Sequence, residues 1–550
     1  WKEHTCKKIT GKKSVKKHGK RYWHTSLKIL WVILQPNWSI TQGSNNHVTP
    51  KTEYKIPTMS FTSIIFLFLF LPLSLIGYYL VPGKYRSLFL LLFSLFLYTW
   101  GDKVYVVVLL YSAVANYFCG LLINYGKRKT GLWLGIGVNL LMLGFFKYYN
   151  FSASTFQGIM ALFHVKSSVF ETIPGLVAPI GISFYTFKTL SYLLDVYKAK
   201  VKASRNFIEF ATYVAMFPPL VAGPIVRYQE IETRLAGRPA GYSRFAEGIE
   251  RFITGLAKKM LLANTFASAA DMIFDAPIAE LSTLTAWLGV ILFTFQIYYD
   301  FSGYSDMAIG LGKMFGYDFP ENFNYPYISR NIREFWRRWH ITLSSWFRDY
   351  LFLPMAFSLS RKMKKERYLT VRADHVIYMV AILITFLVCG FWHGSTWNFI
   401  AWGGWYGLFI GIEHVGLGRI LKRAWRPLQH TYTLLVIMLG WVLFRTDNLP
   451  QAWQFFLKLF SFSSGDASLN SYILFFSNPG ELLFMVLLAA LFSTPLYAKI
   501  HDITVNFLDK RPRLKTPLKV AFLLFFLALF IVCVSYITVK SYNAFIYERF

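Results

Sequence analysis

The stretch Phe386-Leu-Val-Cys-Gly-Phe-Trp-His393-Gly-Ser-Thr-Trp-Asn-Phe-Ile-Ala-Trp-Gly-Gly-Trp-Tyr-Gly407 decides the fold. It is apolar enough to lie within a bilayer, and His393 is its one side chain that titrates near neutral pH. Ionisable residues inside a membrane are costly to place and commonly functional, and an imidazole can both accept and return a proton. The alternative is a structural histidine, hydrogen-bonded between helices or reaching the membrane interface.

The residues beside His393 suit a substrate passage. Gly390 and Gly394 are small enough to let a substrate approach the backbone, and Trp392 and Trp397 could line a tunnel. The stretch therefore predicts either a membrane-embedded active site or a histidine with a structural role.

Composition assigns the chain to a class. Of its 550 residues, 55% are hydrophobic and 16% are charged, whereas soluble domains carry about 25% charged residues. Many windows of 18 or more residues are nearly uncharged, which is enough to cross a bilayer core. We therefore expect an all-α polytopic membrane protein.

The formal net charge of +30 reflects Lys and Arg scattered among the apolar segments. Cytoplasmic loops rich in Lys and Arg explain this charge more simply than nucleic-acid binding, because the basic residues form no single face. The cysteines are far apart and make no CxxC or metal-ligand spacing, so neither a disulfide framework nor a metal site is indicated; they are Cys6, Cys119, Cys389 and Cys533.

The apolar segments predict about eleven transmembrane helices. Basic loops such as 127–129 and 361–372 fall on the cytoplasmic side by the positive-inside rule. The predicted spans are 61–81, 87–100, 104–124, 131–149, 175–197, 284–299, 374–391, 397–414, 431–446, 480–498 and 516–538.

The middle of the chain is less regular. Residues 207–226 contain Pro218-Pro219 and Gly223-Pro224, which break helices, so we expect a re-entrant or cavity-lining segment there. Residues 227–259 are polar and basic, which favours an amphipathic surface helix with connectors.

The first 58 residues differ from the rest of the chain. They hold 12 Lys and Arg against 2 acidic residues, and Met59 stands directly before the first apolar span. We interpret 1–58 as a basic extension that is either non-native or disordered, and 59–550 as the transmembrane domain. The alternative is a genuine basic tail that contacts lipid head groups.

A second candidate site lies in residues 329–350. Read as one helix, this segment places Arg333, Arg337, His340 and Ser344 in a narrow sector. Aromatic and apolar residues occupy a stripe on the other side: Phe335, Trp339, Leu343, Trp346 and Tyr350. Guanidinium groups pair well with phosphates, so the polar sector suits an anionic ligand. The alternative is an interfacial helix whose arginines meet lipid phosphates.

Polar residues also follow the span that ends near 299. Asp300, Ser305 and Asp306 face either a cavity or cationic partners, and structural pairing with Lys or Arg is the favoured interpretation. The chain contains no GxSxG or Walker A motif, which argues against a serine hydrolase and an ATPase.

Two motifs together resemble the membrane-bound O-acyltransferase (MBOAT) family, and within it the bacterial alginate O-acetyltransferase branch. They are Arg333-Glu-Phe-Trp-Arg-Arg-Trp-His-Ile-Thr-Leu-Ser-Ser-Trp-Phe-Arg-Asp-Tyr350 and Gly390-Phe-Trp-His-Gly-Ser-Thr-Trp397. Weaker support comes from the segments 179–187, 222–227, 296–306 and 542–547.

The resemblance implies tilted helices, with re-entrant and amphipathic segments, around a central tunnel in a bacterial cytoplasmic (inner) membrane. It implies that His393 is the catalytic residue and that His340 is also required for activity. The donor would be a cytoplasmic acyl thioester, acetyl-CoA or an acyl carrier, with no bound cofactor and no metal. A periplasmic or extracellular partner acetyltransferase would pass the acetyl group to a polysaccharide. We predict these substrate-binding residues: Arg333, Trp336, Arg337, Ser344, Trp392, Trp397, Asn398, Asp300 and Ser305.

The predicted mechanism uses His393 as general base on an acceptor hydroxyl that attacks the thioester carbonyl. His340 would orient a substrate or stabilise the oxyanion, and Asn398, Trp392 or Trp397 could donate hydrogen bonds to it. Two alternatives remain: transfer of D-alanine from a carrier protein to teichoic acid, and a membrane transporter or flippase. The acceptor glycan stays open among alginate, cellulose, peptidoglycan and others.

Overall fold

The computed structural model describes residues 60–539, apart from gaps at 165–170, 174–175, 236–240, 369–370, 477, 497–498, 501–502, 505–506, 508–510 and 512–513. The predicted extension 1–58, Met59 and the segment 542–547 lie outside the described residues. What is described is almost entirely helical, with one short antiparallel hairpin that pairs Arg367–Tyr368 with Val371–Arg372. The all-α prediction is confirmed.

The α-helices have the following bounds: Leu71–Leu80, Arg86–Asp102, Val106–Asn124, Arg128–Leu143, Tyr149–Leu162, Ile182–Tyr197, Phe207–Ala215, Tyr228–Ile231, Tyr242–Ala257, Asn264–Phe274, Thr283–Met314, Ile332–Arg338, Ile341–Phe347, Leu353–Lys362, Ala373–His393, Trp397–Ile412, Gly418–Arg423, Arg426–Arg445, Leu449–Leu459, Ala467–Phe476, Pro479–Phe492 and Lys515–Val539. Wider π-helical turns cover Phe66–Phe70, Gly144–Tyr148, Lys258–Ala263, Arg348–Phe352 and Glu413–Leu417.

Within the described residues, 6 helices are long and apolar enough to cross a membrane, or up to 7 if one bent pair forms a single span. The predicted number of eleven is therefore not confirmed. One reason is that the predicted spans 87–100 and 104–124 belong to one 42-residue helical stretch, Gly83–Asn124. Another is that other predicted spans, such as 397–414, are not among these six helices.

The helix Thr283–Met314 is the centre of the fold. It is continuous over 32 residues, so the predicted break after residue 299 is wrong. It packs against Tyr242–Ala257 at very close range, because a Cβ on Gly255 would lie 2.5 Å from the Gly303 carbonyl oxygen. Small residues that let helix backbones approach are typical of membrane helix pairs.

Ion pairs secure the same contact. Lys259 Nζ lies 2.6 Å from an Asp300 carboxylate oxygen, and both side chains are almost fully buried. Asp306 is bound by Lys258 Nζ at 2.6 Å and by Arg251 at 2.7 Å. The favoured structural interpretation of the two aspartates is thus supported by their contacts.

We predict that Lys259→Met lowers the free energy of unfolding by about 3–5 kcal/mol, because removing one partner leaves a buried charge without its counter-ion. The measurement is thermal unfolding of the purified protein in detergent. The double variant Lys259→Met/Asp300→Asn should recover most of the loss. Equal stability of Lys259→Met and the unchanged protein would contradict the prediction.

The broken segment predicted at 207–226 is confirmed. Its helix, Phe207–Ala215, ends before Pro218, and the following residues are buried although they form no regular helix. The predicted surface helix in 227–259 is also present as Tyr242–Ala257. The structure differs in that the chain beyond it turns inward, so Lys259 is buried.

Candidate active site

His393 is the last residue of the helix Ala373–His393 and is 6% exposed. This helix forms a tight hairpin with Trp397–Ile412, in which Gly390 and Gly403 bring the two backbones together. Because the hairpin turn begins directly after His393, the ring is held at the closed end of the pair.

Aromatic rings surround His393. Its ring centroid lies 4.6 Å from that of Trp392, 4.8 Å from that of Trp402 and 5.6 Å from that of Phe444. His340 and Lys147 also lie near His393. The pattern that predicted His393 missed Trp402, although Trp402 belongs to the same stretch of sequence.

His340 interrupts the segment that we read as one helix. Its φ of 44° is left-handed, and it separates Ile332–Arg338 from Ile341–Phe347. The prediction of a continuous helix over 329–350 is therefore wrong, because a helical sector cannot continue through a left-handed residue. The apolar stripe is nevertheless buried within the protein, and Trp339 is 2% exposed.

The tautomer of His340 follows from its partner. Nδ1 lies 3.0 Å from Asn322 Oδ1, which accepts at 2.9 Å from the Thr342 hydroxyl. The Asn322 amide in turn donates to Ser305 Oγ at 3.1 Å. Since an amide oxygen can only accept, Nδ1 carries the hydrogen. Ser305 therefore helps to orient His340 through Asn322.

The other ring nitrogen of His340 is available. Nε2 is buried and has no hydrogen-bond partner among the described residues. Burial lowers the pKa of the imidazole well below its ordinary value, so the ring is neutral near pH 7. Nε2 can then accept a hydrogen bond from a substrate, which favours an orienting role over an oxyanion-stabilising one.

A cavity of about 330 Å³ lies among the segments that carry the two histidines, although neither His340 nor His393 is among the described residues that line it. Arg333, Arg337, Trp336 and Ser344 all line it, so the structure brings these four predicted residues together. Arg348 also lines the cavity and was missed, although it follows Ser344 by four residues, about one helical turn.

Arg333 is held in place by its surroundings. The Glu413 carboxylate accepts from the backbone N–H groups of Ile332 at 2.7 Å and Arg333 at 3.2 Å. The guanidinium of Arg333 lies over the Tyr378 ring at 5.5 Å and 3.4 Å from His414 Nδ1. Arg337 is exposed at the rim, so the cavity presents cationic groups at its mouth.

The cavity follows one side of the helix Ala373–His393. Tyr378, Ile382 and Cys389 all line it. Tyr378 and Cys389 lie eleven residues apart, or about 16 Å at about 1.5 Å per residue. His393 is one further turn along, about 6 Å beyond Cys389. The cavity therefore leads from the arginines toward His393.

Indole rings separate the end of the cavity from His393. The ring of Trp336 lies 5.0 Å from Phe386 and 5.7 Å from Trp402. The indole N–H groups of Trp336, Trp392 and Trp402 are buried and have no hydrogen-bond partner among the described residues. Buried donors without a partner call for an explanation, and a ligand is one.

Three of the predicted substrate-binding residues have other surroundings than the four that line the cavity. The Asn398 amide donates to the Thr446 carbonyl oxygen at 2.7 Å and to its hydroxyl at 3.1 Å, so its hydrogens are engaged. Trp397 is 54% exposed and contacts Phe151. Asp300 pairs with Lys259. Their roles in substrate binding stay predictions with weaker geometric support. Among the described residues, no group of three or more metal-ligating side chains is present.

The fold is that of a multi-pass helical membrane protein, and a cationic cavity lies along the helix that ends at the buried His393. The chain belongs to the MBOAT, membrane-bound O-acyltransferase family, whose model matches residues 44–449. The resemblance predicted from the two histidine motifs is confirmed. The protein is therefore an O-acyltransferase, and the transporter or flippase alternative is wrong.

Named relatives agree with the family. A probable alginate O-acetylase of Azotobacter vinelandii is 42% identical over 417 residues, covering 75% of this chain and 80% of the relative. The peptidoglycan O-acetyltransferase of Helicobacter pylori is 34% identical over 442 residues, covering 72% and 79%. The teichoic acid D-alanyltransferase of Streptococcus thermophilus is 32% identical over 289 residues, covering 50% and 64%.

Proposed function

We propose that the protein takes an acetyl group from cytoplasmic acetyl-CoA and passes it across the membrane for O-acetylation of an extracytoplasmic polysaccharide. The observation that carries this proposal is the arginine-lined cavity along Ala373–His393. A CoA thioester has phosphates at one end and its acyl group at the end of a thin arm. Such a molecule matches a cavity that is cationic at its mouth and extends along the helix that ends at His393.

The direction of transfer is inferred from charge. The basic segment 361–372 immediately precedes the helix Ala373–His393. The positive-inside rule puts that segment in the cytoplasm, together with the start of the helix. The arginines of the cavity then face the cytosolic donor, and His393 lies nearer the opposite surface.

The proposed mechanism begins with an acceptor hydroxyl beside His393. Its oxygen attacks the thioester carbonyl while the imidazole takes its proton, which is worth about 10²–10⁴-fold in rate. The tetrahedral intermediate then expels the CoA thiolate, and the imidazolium returns the proton to that sulfur. His340 Nε2 accepts a hydrogen bond that orients a substrate.

The oxyanion of the intermediate needs hydrogen-bond donors. The unpaired indole N–H groups of Trp392 and Trp402 are nearest to His393 and are already desolvated. Donors fixed in a dry site stabilise developing charge better than water does. We assign this role to the indoles in preference to Asn398, whose amide is engaged with Thr446.

The proposed extracytoplasmic acceptor is inferred from the relatives. Those with the highest identity quoted above act on alginate and on peptidoglycan, and both are bacterial. A bacterial cytoplasmic (inner) membrane and a periplasmic or extracellular partner acetyltransferase therefore fit best. D-alanyl transfer to teichoic acid is the second candidate, and the weaker and shorter similarity to a D-alanyltransferase disfavours it.

The donor can be tested without knowing the acceptor. Cys389 lines the cavity, so bound acetyl-CoA should shield its thiol from maleimide. In a variant with Cys6, Cys119 and Cys533 replaced by Ser, we expect saturable protection by acetyl-CoA and none by acetate. Labelling of Cys389 that is independent of acetyl-CoA would contradict a donor in this cavity.

We predict that Arg337→Ala raises the KM for acetyl-CoA about tenfold or more and changes kcat little. Losing a hydrogen bond to a charged group costs about 1.5–3 kcal/mol, and here the loss weakens the binding of acetyl-CoA. The measurement is initial rate against acetyl-CoA concentration. Arg419→Ala, at an exposed arginine outside the cavity, is the matched control. An unchanged KM would show that Arg337 does not bind the donor phosphates.

A further inference from the structure

The end of the helix Ala373–His393 lacks a conventional cap. The last carbonyl groups of any helix have no intrahelical donor and need partners from elsewhere. Many helices end on a left-handed glycine that supplies them. Here Gly394 is extended, with φ of −158°. The carbonyls of the last turn, which carries His393, must therefore be satisfied by other groups.

Two side chains from another membrane helix supply the donors. Lys147 Nζ donates to the carbonyl oxygen of Trp392, and it lies 3.4 Å from that of His393. The Tyr148 hydroxyl donates to the Phe391 carbonyl oxygen at 3.1 Å. The three last carbonyls of the helix thus meet two adjacent residues. A cation at this position also suits the negative end of the helix dipole.

Further contacts fix these two side chains. The Tyr148 ring stacks on Phe391 at 4.2 Å, and Lys147 Nζ lies 5.6 Å from the Trp392 ring centroid. Lys147 also reaches Ser183 Oγ at 3.5 Å, on the helix Ile182–Tyr197. The contacts join three separate helical segments at the turn that carries His393.

The backbone around Lys147 is itself unusual. The stretch Gly144–Tyr148 is a π-helical turn inside the long helical stretch Arg128–Leu162. Such turns contain an extra residue and often mark functional sites. Neither composition nor periodicity singled out Lys147, which lies in an apolar span that was predicted to cross the membrane without a role in the site.

We propose that Lys147 is a positioning residue that fixes the imidazole of His393 by binding the backbone of the turn that carries it. The inference rests on the proposed catalytic role of His393. Lys147 is absent from the residues that line the donor cavity, within the described part of the chain. Loss of its contacts should therefore affect the chemical step and leave donor binding intact.

The test compares Lys147→Met with Lys147→Arg in acetyl transfer from labelled acetyl-CoA. We expect Lys147→Met to lower kcat about 10–100-fold at unchanged KM, because a displacement of about 1 Å at a reacting group has this order of effect. Lys147→Arg keeps the charge and the donors and should recover most of the rate. Lys129→Met, at an exposed lysine, is the control for loss of a positive charge.

Parallel measurements separate this inference from the proposed function. If His393→Ala is inactive while Lys147→Met keeps full kcat, the positioning role is wrong. If His393→Ala is as active as the unchanged protein, the proposed function itself is wrong. If Lys147→Met raises KM and abolishes acetyl-CoA protection of Cys389, Lys147 supports the whole fold, and the specific role is overturned. A reduced kcat with intact protection and rescue by Arg supports it.

Discussion

His393→Ala should reduce acyl transfer about 10²–10⁴-fold, because it removes the group that takes the proton from the acceptor hydroxyl. The expected loss is in kcat, and the KM for acetyl-CoA should change little, since the cavity residues remain. The measurement is transfer of label from acetyl-CoA at matched membrane abundance.

The control for this variant lies on the same helix. His375→Ala removes an imidazole from the first turn of Ala373–His393, about 27 Å from residue 393 along the axis at about 1.5 Å per residue. It should keep near-normal activity. Full activity of His393→Ala would remove the basis of the mechanism.

His340→Asn should lower kcat/KM about 100-fold, because a substrate misplaced by about 1 Å reacts more slowly by about this factor. Asparagine tolerates the left-handed backbone conformation that His340 adopts, so the helix break can persist. What is lost is the imidazole whose Nε2 faces a buried space without a partner among the described residues. The measurement is kcat/KM for acetyl-CoA together with thermal stability.

Tyr325→Asn makes the same kind of change at a second left-handed position, φ 46°, and controls for the backbone. Its activity should stay near normal. If His340→Asn retained normal kcat/KM, His340 would be a structural residue of the core, and its orienting role would be wrong.

The two histidines were predictable because each combines a rare residue type with an unusual setting. His393 stood out as a titrating side chain in an apolar stretch, and His340 stood out beside arginines opposite an aromatic stripe. Periodicity placed Phe335 and Leu343 on one apolar stripe, and both are buried. It could not reveal the left-handed residue between them, because the apolar spacing continues across the break.

The orientation of His340 depends on contacts that no local pattern encodes. Asn322 is eighteen positions away in sequence and gave no signal of its own. Asp300 and Lys259 form their ion pair across two helices, so the sequence predicted a cationic partner without identifying it.

The predicted number of spans is not confirmed within the described residues, for a physical reason. Hydropathy measures apolar length, and it does not distinguish a crossing from a short buried helix packed among others. The predicted span 397–414 is not among the helices long and apolar enough to cross a membrane, although the helix Trp397–Ile412 is present. Arg348, Trp402 and Lys147 were missed because only the folded backbone brings them to the cavity or to His393.

Sided membrane vesicles test the central claim most directly: the acyl donor enters from the face of the cavity arginines and the acyl group leaves on the other. Labelled acetyl-CoA is added outside inside-out and right-side-out vesicles prepared from cells that make the protein, with His393→Ala vesicles as blank. The account predicts base-labile label on enclosed polysaccharide in inside-out vesicles and background in right-side-out ones. Equal incorporation in both orientations, or none that depends on His393, would contradict it.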